Sequence, residues 1–414
     1  MEVQVSESTF RSYLFFWLGE LVSLLGSSIS QFVIIWWITL ETESAIYLSL
    51  AFLLSFAPMV ILSPFAGVFA DQWSRKKLIG TVDFLQTLVT VGLIFLFWLD
   101  IVSIWLVLAL LTLKGVFQAF HTPTVMAITP SMVPTDKLSR MNGLNYLFTG
   151  AVRLVGPVVA ALLLDLWEIS QILWIDAATF LIALVPLLII RIPSVRMKHE
   201  KSSFRKDFGE GFTFIKNTRG FIPLIVLSIA LNFLITPLST LLPYYVKFDH
   251  LGGATEWAFV SAAVQGGMLA GGLLMTVTRG FKRKMLVIVS LLYVLFVGYS
   301  LVALTPQGLF WFMALGGVIM LFCIPIINVS YMTIVQTVVP LKMQGRVNSV
   351  DMALSSAATP LGMIISGPIA EYMGTSNLFL GCTLSGILIL TLSWFFTDIR
   401  HVEETFTDPR MVHP

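Results

Sequence analysis

Twelve stretches of about 20 largely apolar residues recur along the chain, and segments of that length and polarity are stable in a lipid bilayer. They fall near 12–40, 44–70, 78–99, 102–130, 139–165 and 168–190, then near 221–246, 254–278, 285–304, 307–338, 345–372 and 376–397. Barrel strands would be about ten residues long with alternating polarity, so the spans read as helices. Only 12% of the residues are charged, against about 25% in soluble domains, which leaves too little polar surface to cover one water-soluble core. Cys323 and Cys382 lie in separate apolar runs, which argues against a disulfide framework or a thiolate metal cluster. The polar start MEVQVSESTF leads directly into the first span, so no cleavable leader is expected.

Lysine and arginine placement gives an expected orientation. Arg75, Lys76 and Lys77 follow span 2, Lys137 and Arg140 follow span 4, and eight basic residues crowd 191–220. Arg279, Lys282, Arg283 and Lys284 follow span 8, Lys342 and Arg346 follow span 10, and Arg400 and Arg410 follow span 12. With Arg11, 22 of the 25 basic residues fall on one side, so both termini are expected to be cytoplasmic. The polar stretch 191–220 reads as a cytoplasmic linker between bundles at 1–190 and 221–400, with 401–414 as a tail. The halves also repeat. A shift of 206 residues sets Met126 on Met332, Val133-Pro134 on Val339-Pro340, Arg140 on Arg346, Asn142 on Asn348 and Gly156 on Gly362. Duplication of this kind is a common plan for secondary transporters, with the substrate site between the repeats.

Several motifs carry a family resemblance. Gly67-Val-Phe-Ala-Asp71-Gln-Trp-Ser-Arg75-Lys76-Lys77 resembles the loop signature of the major facilitator superfamily. Gly150-x5-Gly156-Pro157 resembles a shortened antiporter motif, although Val159, Ala160 and Ala161 replace its later glycines. Gly26-Ser-Ser-Ile-Ser-Gln-Phe, Phe120-His-Thr-Pro-Thr, Val133-Pro134 and Leu138 to Asn142-Gly143 are similar to the macrolide-efflux and enterobactin-exporter branch. The resemblance implies an all-α membrane fold of two six-helix bundles, with spans 1, 4, 7 and 10 lining a cavity. It also implies a conformational latch built from Gly67, Asp71 and Arg75, joined by Asp83 and Arg140, in which Asp71 meets a helix N-terminus of the other half. The basic residues of that loop serve equally as topology determinants. Pro157 removes a backbone donor inside span 5, and Gly156 lets a neighbouring helix approach closely.

Ionisable groups at membrane depth are costly and mark candidate sites. Glu20 lies eight residues into span 1, roughly 12 Å at 1.5 Å per residue. Lys114 lies near the middle of span 4 and Arg153 within span 5. Glu20, Ser23, Ser27 and Gln31 share one helix face, Lys114, Gln118 and His121 another, and Asn142, Asn145, Thr149 and Arg153 a third. Asn232 and Asn328 mark spans 7 and 10. At the 206-residue offset Glu20, Lys114 and Arg153 meet Val226, Met320 and Thr359, so proton coupling is expected in the first half.

Glu20 is expected to be the protonatable carboxylate, set against Lys114 or Arg153. A static ion pair and a contact to a cationic substrate are the alternatives. Asp83 suits the latch or a proton relay, Asp176 suits a helix contact in the outer half of span 6, and Asp351 lies near an end of span 11. His121, before Thr122-Pro123, is expected to be hydrogen-bonded beside a kink rather than pH-sensing. Together these features point to proton-coupled efflux of a bulky amphipathic molecule, macrolide-like or siderophore-like, from a bacterial cell membrane. Uptake or lipid flipping is the alternative. No cofactor, metal or nucleic acid is expected, a proton gradient supplies the energy, and a monomer is expected. No HExxH, GxSxG or GxxxxGK[ST] motif is present, which argues against a membrane enzyme or an ATP-driven pump.

Overall fold

In the bilayer core a backbone N–H or C=O has no water to bond to, so spanning segments close their hydrogen bonds internally as helices. The computed structural model describes residues 7–192, 204–278 and 280–402, without the side chains of 63–65, 67–72, 204–207, 342 and 401. Among these are thirteen α-helices, and twelve candidate spans are long and apolar enough to cross a membrane. The first six are α1 (Glu7–Thr42), α2 (Ala45–Gln72), α3 (Arg75–Trp98), α4 (Ile104–Met132), α5 (Thr135–Leu164) and α6 (Ile169–Ile189). A shorter helix, α7 (Phe204–Asn217), follows within the stretch read as a linker. The later spans are α8 (Phe221–Tyr244), α9 (Ala254–Val277), α10 (Lys284–Ala303), α11 (Phe310–Val338), α12 (Leu341–Met373) and α13 (Thr375–Phe396).

The described residues form two compact units. One takes α1 to α6 together with 252–262, and the other takes α7, α8, the rest of α9 and α10 to α13. Within the first unit, the Trp257 ring at the start of α9 stacks on Phe32 of α1, with centroids 3.8 Å apart and planes 13° apart.

The repeat is visible in helix boundaries. Ile104 and Phe310, Thr135 and Leu341, and Ile169 and Thr375 each begin equivalent helices, and each pair is separated by 206 residues. Local chemistry sets some of these boundaries. Pro134 and Pro340 cannot continue a preceding helix, and they push Val133 and Val339 into extended backbone (ψ 129° and 123°), so α4 and α11 end there.

Small residues bring the helices together. A Cβ at Gly156 of α5 would lie 2.2 Å from Ser28 Oγ of α1, and one at Gly362 of α12 would lie 2.9 Å from Thr236 Cβ of α8. The same interface is therefore built twice. Helix α5 runs unbroken through Pro157, with Gly150 half-buried earlier on it. One end of the first unit is sealed by Phe16, Trp17, Ile79, Met132, Met141 and Leu187, drawn from five helices.

Gly156→Ala is expected to cost about 1–3 kcal/mol by overpacking, read as a lower thermal unfolding temperature in detergent. Adding Ser28→Gly should recover most of the loss. Gly143→Ala, with nothing within 4 Å of the added Cβ, should stay near wild type.

Candidate functional site

The polar centre of the first unit starts from one close helix contact. A Cβ at Gly26 of α1 would lie 1.9 Å from Thr179 Oγ1 and 3.1 Å from Asp176 Cα, so the backbones of α1 and α6 almost touch. That approach lets Ser27 Oγ donate to Asp176 Oδ1 at 2.8 Å. Thr90 of α3 donates to Oδ2 at 2.8 Å, and Lys114 of α4 donates to the same oxygen at 3.0 Å. Lys114 Nζ also donates to Thr90 Oγ1 at 3.0 Å. Four helices thus contribute to one network around Asp176, whose residue exposure is 6%. Both carboxylate oxygens and the ammonium are partnered, as a charge in a low-dielectric interior requires.

A second cluster lies two turns along α4. His121 is seven residues after Lys114, about 10 Å at 1.5 Å per residue. Its Nε2 is 3.1 Å from Asp83 Oδ1 of α3 and 3.4 Å from Glu20 Oε2 of α1. The three side chains are mostly enclosed, at 17%, 18% and 13% exposure for His121, Glu20 and Asp83. One turn away on α3 and α4, Gln86 Nε2 donates to Gln118 Oε1 at 3.4 Å, and Gln118 Nε2 donates to Thr122 Oγ1 at 3.0 Å. A cavity of about 20 Å³, room for one water, is lined by Ser23, Ser27, Asp83, Gln86, Lys114 and Asp176. It connects the two clusters.

These partners differ from the sequence expectation. Lys114 pairs with Asp176 rather than Glu20, and Glu20 meets His121 rather than Arg153, which is exposed on α5. Depth explains the exchange. Alternate spans run in the same direction, so Lys114, ten residues into α4, meets Asp176, seven residues into α6, while neighbouring spans run oppositely. His121, eleven residues before the end of α4, meets Asp83, eight residues into α3. Asp176 is thus the hub of four helices and not a peripheral helix contact, and Asp83 faces His121. Thr90 was missed, although Asp83, Thr87 and Thr90 form a polar stripe at helical spacing on α3.

The other candidates have separate environments. Asn145 accepts from Trp17 Nε1 at 3.0 Å, and Asn232 donates to Ser228 O of its own helix at 2.9 Å. Gln31, Asn328 and Arg140 are exposed. Arg75 Nη1 donates to Ala127 O of α4 at 2.9 Å. Lys76 Nζ donates to Leu188 O and Ile190 O, the closing carbonyls of α6, at 2.6 and 2.8 Å. The side chains of Gly67 and Asp71 lie outside the described residues.

In the second unit Val226, Val289, Phe296, Met320, Ile327 and Cys382 stand 206 positions after Glu20, Asp83, Thr90, Lys114, His121 and Asp176. The charged members of both clusters, His121 and the Thr90 that bridges Lys114 and Asp176 all have apolar counterparts. Asp351 there accepts from Ser355 at 3.4 Å. A cavity of about 230 Å³ lies among α8, α12 and α13, lined mainly by apolar groups such as Phe233, Pro237, Ile365, Met373 and Cys382.

Comparison with known proteins agrees with this architecture. The Major Facilitator Superfamily profile matches residues 16–350. The chain is 31% identical over 386 residues to Macrolide efflux protein A of Streptococcus pyogenes, covering 91% of this chain and 93% of that protein. It is 24% identical over 391 residues to the multidrug efflux pump Tap of Mycolicibacterium fortuitum, covering 91% and 94%. A solved structure of a POT family transporter in complex with a thioalcohol-conjugated peptide superposes with a TM-score of 0.73 at 12% identity, covering 97% of each chain. That likeness concerns the fold.

Asp176→Asn should strand the Lys114 ammonium and cost about 3 kcal/mol of stability. Combining it with Lys114→Met should restore most of that loss, because Asn can still bond Ser27 and Thr90. A double-mutant cycle on thermal unfolding in detergent measures the coupling. Additive losses would show that the pair does not act as a unit.

Proposed function

The chain belongs to the Major Facilitator Superfamily, and from that membership we propose that it exchanges protons for a bulky amphipathic molecule through Glu20, Asp83 and His121. It is a multi-pass transport protein of the bacterial plasma membrane with efflux-pump relatives, not an enzyme. The finer reading concerns the driving ion and the cargo. A macrolide-class substrate is supported by the 31% identical relative. It is also supported by the apolar character of the second unit at positions where the first carries charge. Cytoplasmic termini are supported by the 22 basic residues on one side.

One observation carries the coupling assignment: a single imidazole nitrogen faces two carboxylates at membrane depth. With both ring nitrogens protonated the cluster has a net charge of −1, and one further proton, on a carboxylate, brings it to zero. In a low-dielectric site the two states differ strongly in electrostatic energy. Proton gain and loss can therefore bias the transporter between the states of alternating access, the mode typical of this fold. Lys114 and Asp176 instead form a closed pair that stays neutral overall and holds α1, α3, α4 and α6 together. The water-sized cavity between Asp83 and this pair offers a one-molecule bridge for a proton.

In proteoliposomes, Glu20→Gln should reduce accumulation of a labelled macrolide driven by a pH gradient at least tenfold. Counterflow of the same substrate should persist. His121→Ala should behave likewise. Unchanged proton-driven accumulation in Glu20→Gln would remove the cluster from the coupling role.

A further inference from the structure

The same three side chains have the composition and spacing of a metal site. We infer that Glu20, Asp83 and His121 bind a divalent first-row transition-metal ion, such as Zn²⁺ or Co²⁺, in competition with the protons of the coupling cluster. The inference rests on the placement of the proton site above and extends it to a second class of cation.

Geometry is the first support. One ligand atom from each residue lies within 4.8 Å of the other two. A Zn²⁺-sized ion holds nitrogen and oxygen ligands at about 2.0–2.2 Å. At tetrahedral or octahedral angles such ligands stand about 2.8–3.6 Å apart, by simple trigonometry on those bond lengths. The His121 Nε2 distances to Asp83 Oδ1 and Glu20 Oε2, 3.1 and 3.4 Å, fall inside that window. Two of the three ligand pairs thus already stand at the spacing an ion needs.

Charge is the second support. Neutral imidazole, two carboxylates and a divalent ion sum to zero, whereas an imidazolium with the two carboxylates leaves −1. An uncompensated charge at this depth is costly, so the ion supplies what the cluster lacks. Lys114 and Asp176 line the small cavity that Asp83 also lines, and they cancel each other.

Ligand chemistry selects the ion. One imidazole with two carboxylates suits zinc, cobalt and manganese, while Mg²⁺ favours all-oxygen octahedral sites. The ion bonds only the neutral ring, so the Nε2 proton must leave as the metal enters. Loading is therefore a proton-for-metal exchange: Nε2–H breaks, the metal–nitrogen bond forms, and H⁺ goes to solvent. A metal-loaded cluster has no proton to exchange, so the ion blocks proton-driven transport.

The test titrates Co²⁺ into the purified full-length protein in detergent at neutral pH. The expected result is one site with Kd about 10 μM or tighter, visible d–d bands of nitrogen and oxygen ligation, and proton release into weak buffer. His121→Ala and Glu20→Gln should each weaken binding at least tenfold while thermal unfolding stays within a few degrees of wild type. If either variant fails to fold, anomalous scattering at the cobalt edge from wild-type crystals locates the ion, expected about 2.1 Å from His121 Nε2. Binding no tighter than 1 mM, binding unchanged in a folded His121→Ala protein, or cobalt found elsewhere would overturn the inference. Loss of proton-driven accumulation in Glu20→Gln with no Co²⁺ site in wild type would leave the coupling role standing and sink the metal site. A His121-dependent Co²⁺ site with proton-driven accumulation intact in Glu20→Gln would do the reverse.

Discussion

Hydrocarbon cannot solvate a charge, so an ionised side chain at membrane depth must find its compensation inside its own bundle. Much of the interior of the first unit follows from that constraint. Asp176 takes bonds from three helices besides its own, and Lys114 spends its ammonium on Asp176 and Thr90. The network fixes register as well as charge, because each donor reaches the carboxylate only when its helix sits at the right depth and rotation. The cluster two turns away, with two carboxylates against one imidazole, is unbalanced by construction.

Close helix approach makes both clusters possible. Side chains as short as serine and aspartate bridge helices only where backbones nearly touch, and Gly26 supplies that contact between α1 and α6. Small residues are the usual means of tight association in membranes, where no hydrophobic drive separates helix from lipid. The antiporter-like glycine at 156 has the same mechanical role between α1 and α5. Its repeat partner, Gly362, shows that the contact belongs to the duplicated scaffold.

Duplication kept the scaffold and divided the chemistry. Helix boundaries recur at a constant spacing, yet Glu20, Asp83, Lys114, His121 and Asp176 all have apolar counterparts. A repeat unit therefore does not need these charges to fold. Packing around Phe296 and its neighbours does the equivalent work in the second unit, where a Cβ on Gly386 would fall 2.0 Å from the Phe296 ring.

The sequence by itself determined the number of spans, their helical character, the half-chain repeat and the first half as the home of the charged groups. Hydropathy, segment length and a fixed offset are one-dimensional signals, and the bilayer enforces them. It also singled out Glu20, Ser27 and Lys114 from helical spacing within single helices. Pairing between helices was decided only by the tertiary structure. Which residues meet depends on the direction, depth and rotation of each span, and none of these is written in a single helix's periodicity. That is why Lys114 met Asp176, why Asp83 turned to His121, and why Thr90 emerged as a shared bridge. The charges of the first half thus resolve into a closed pair and an open triad.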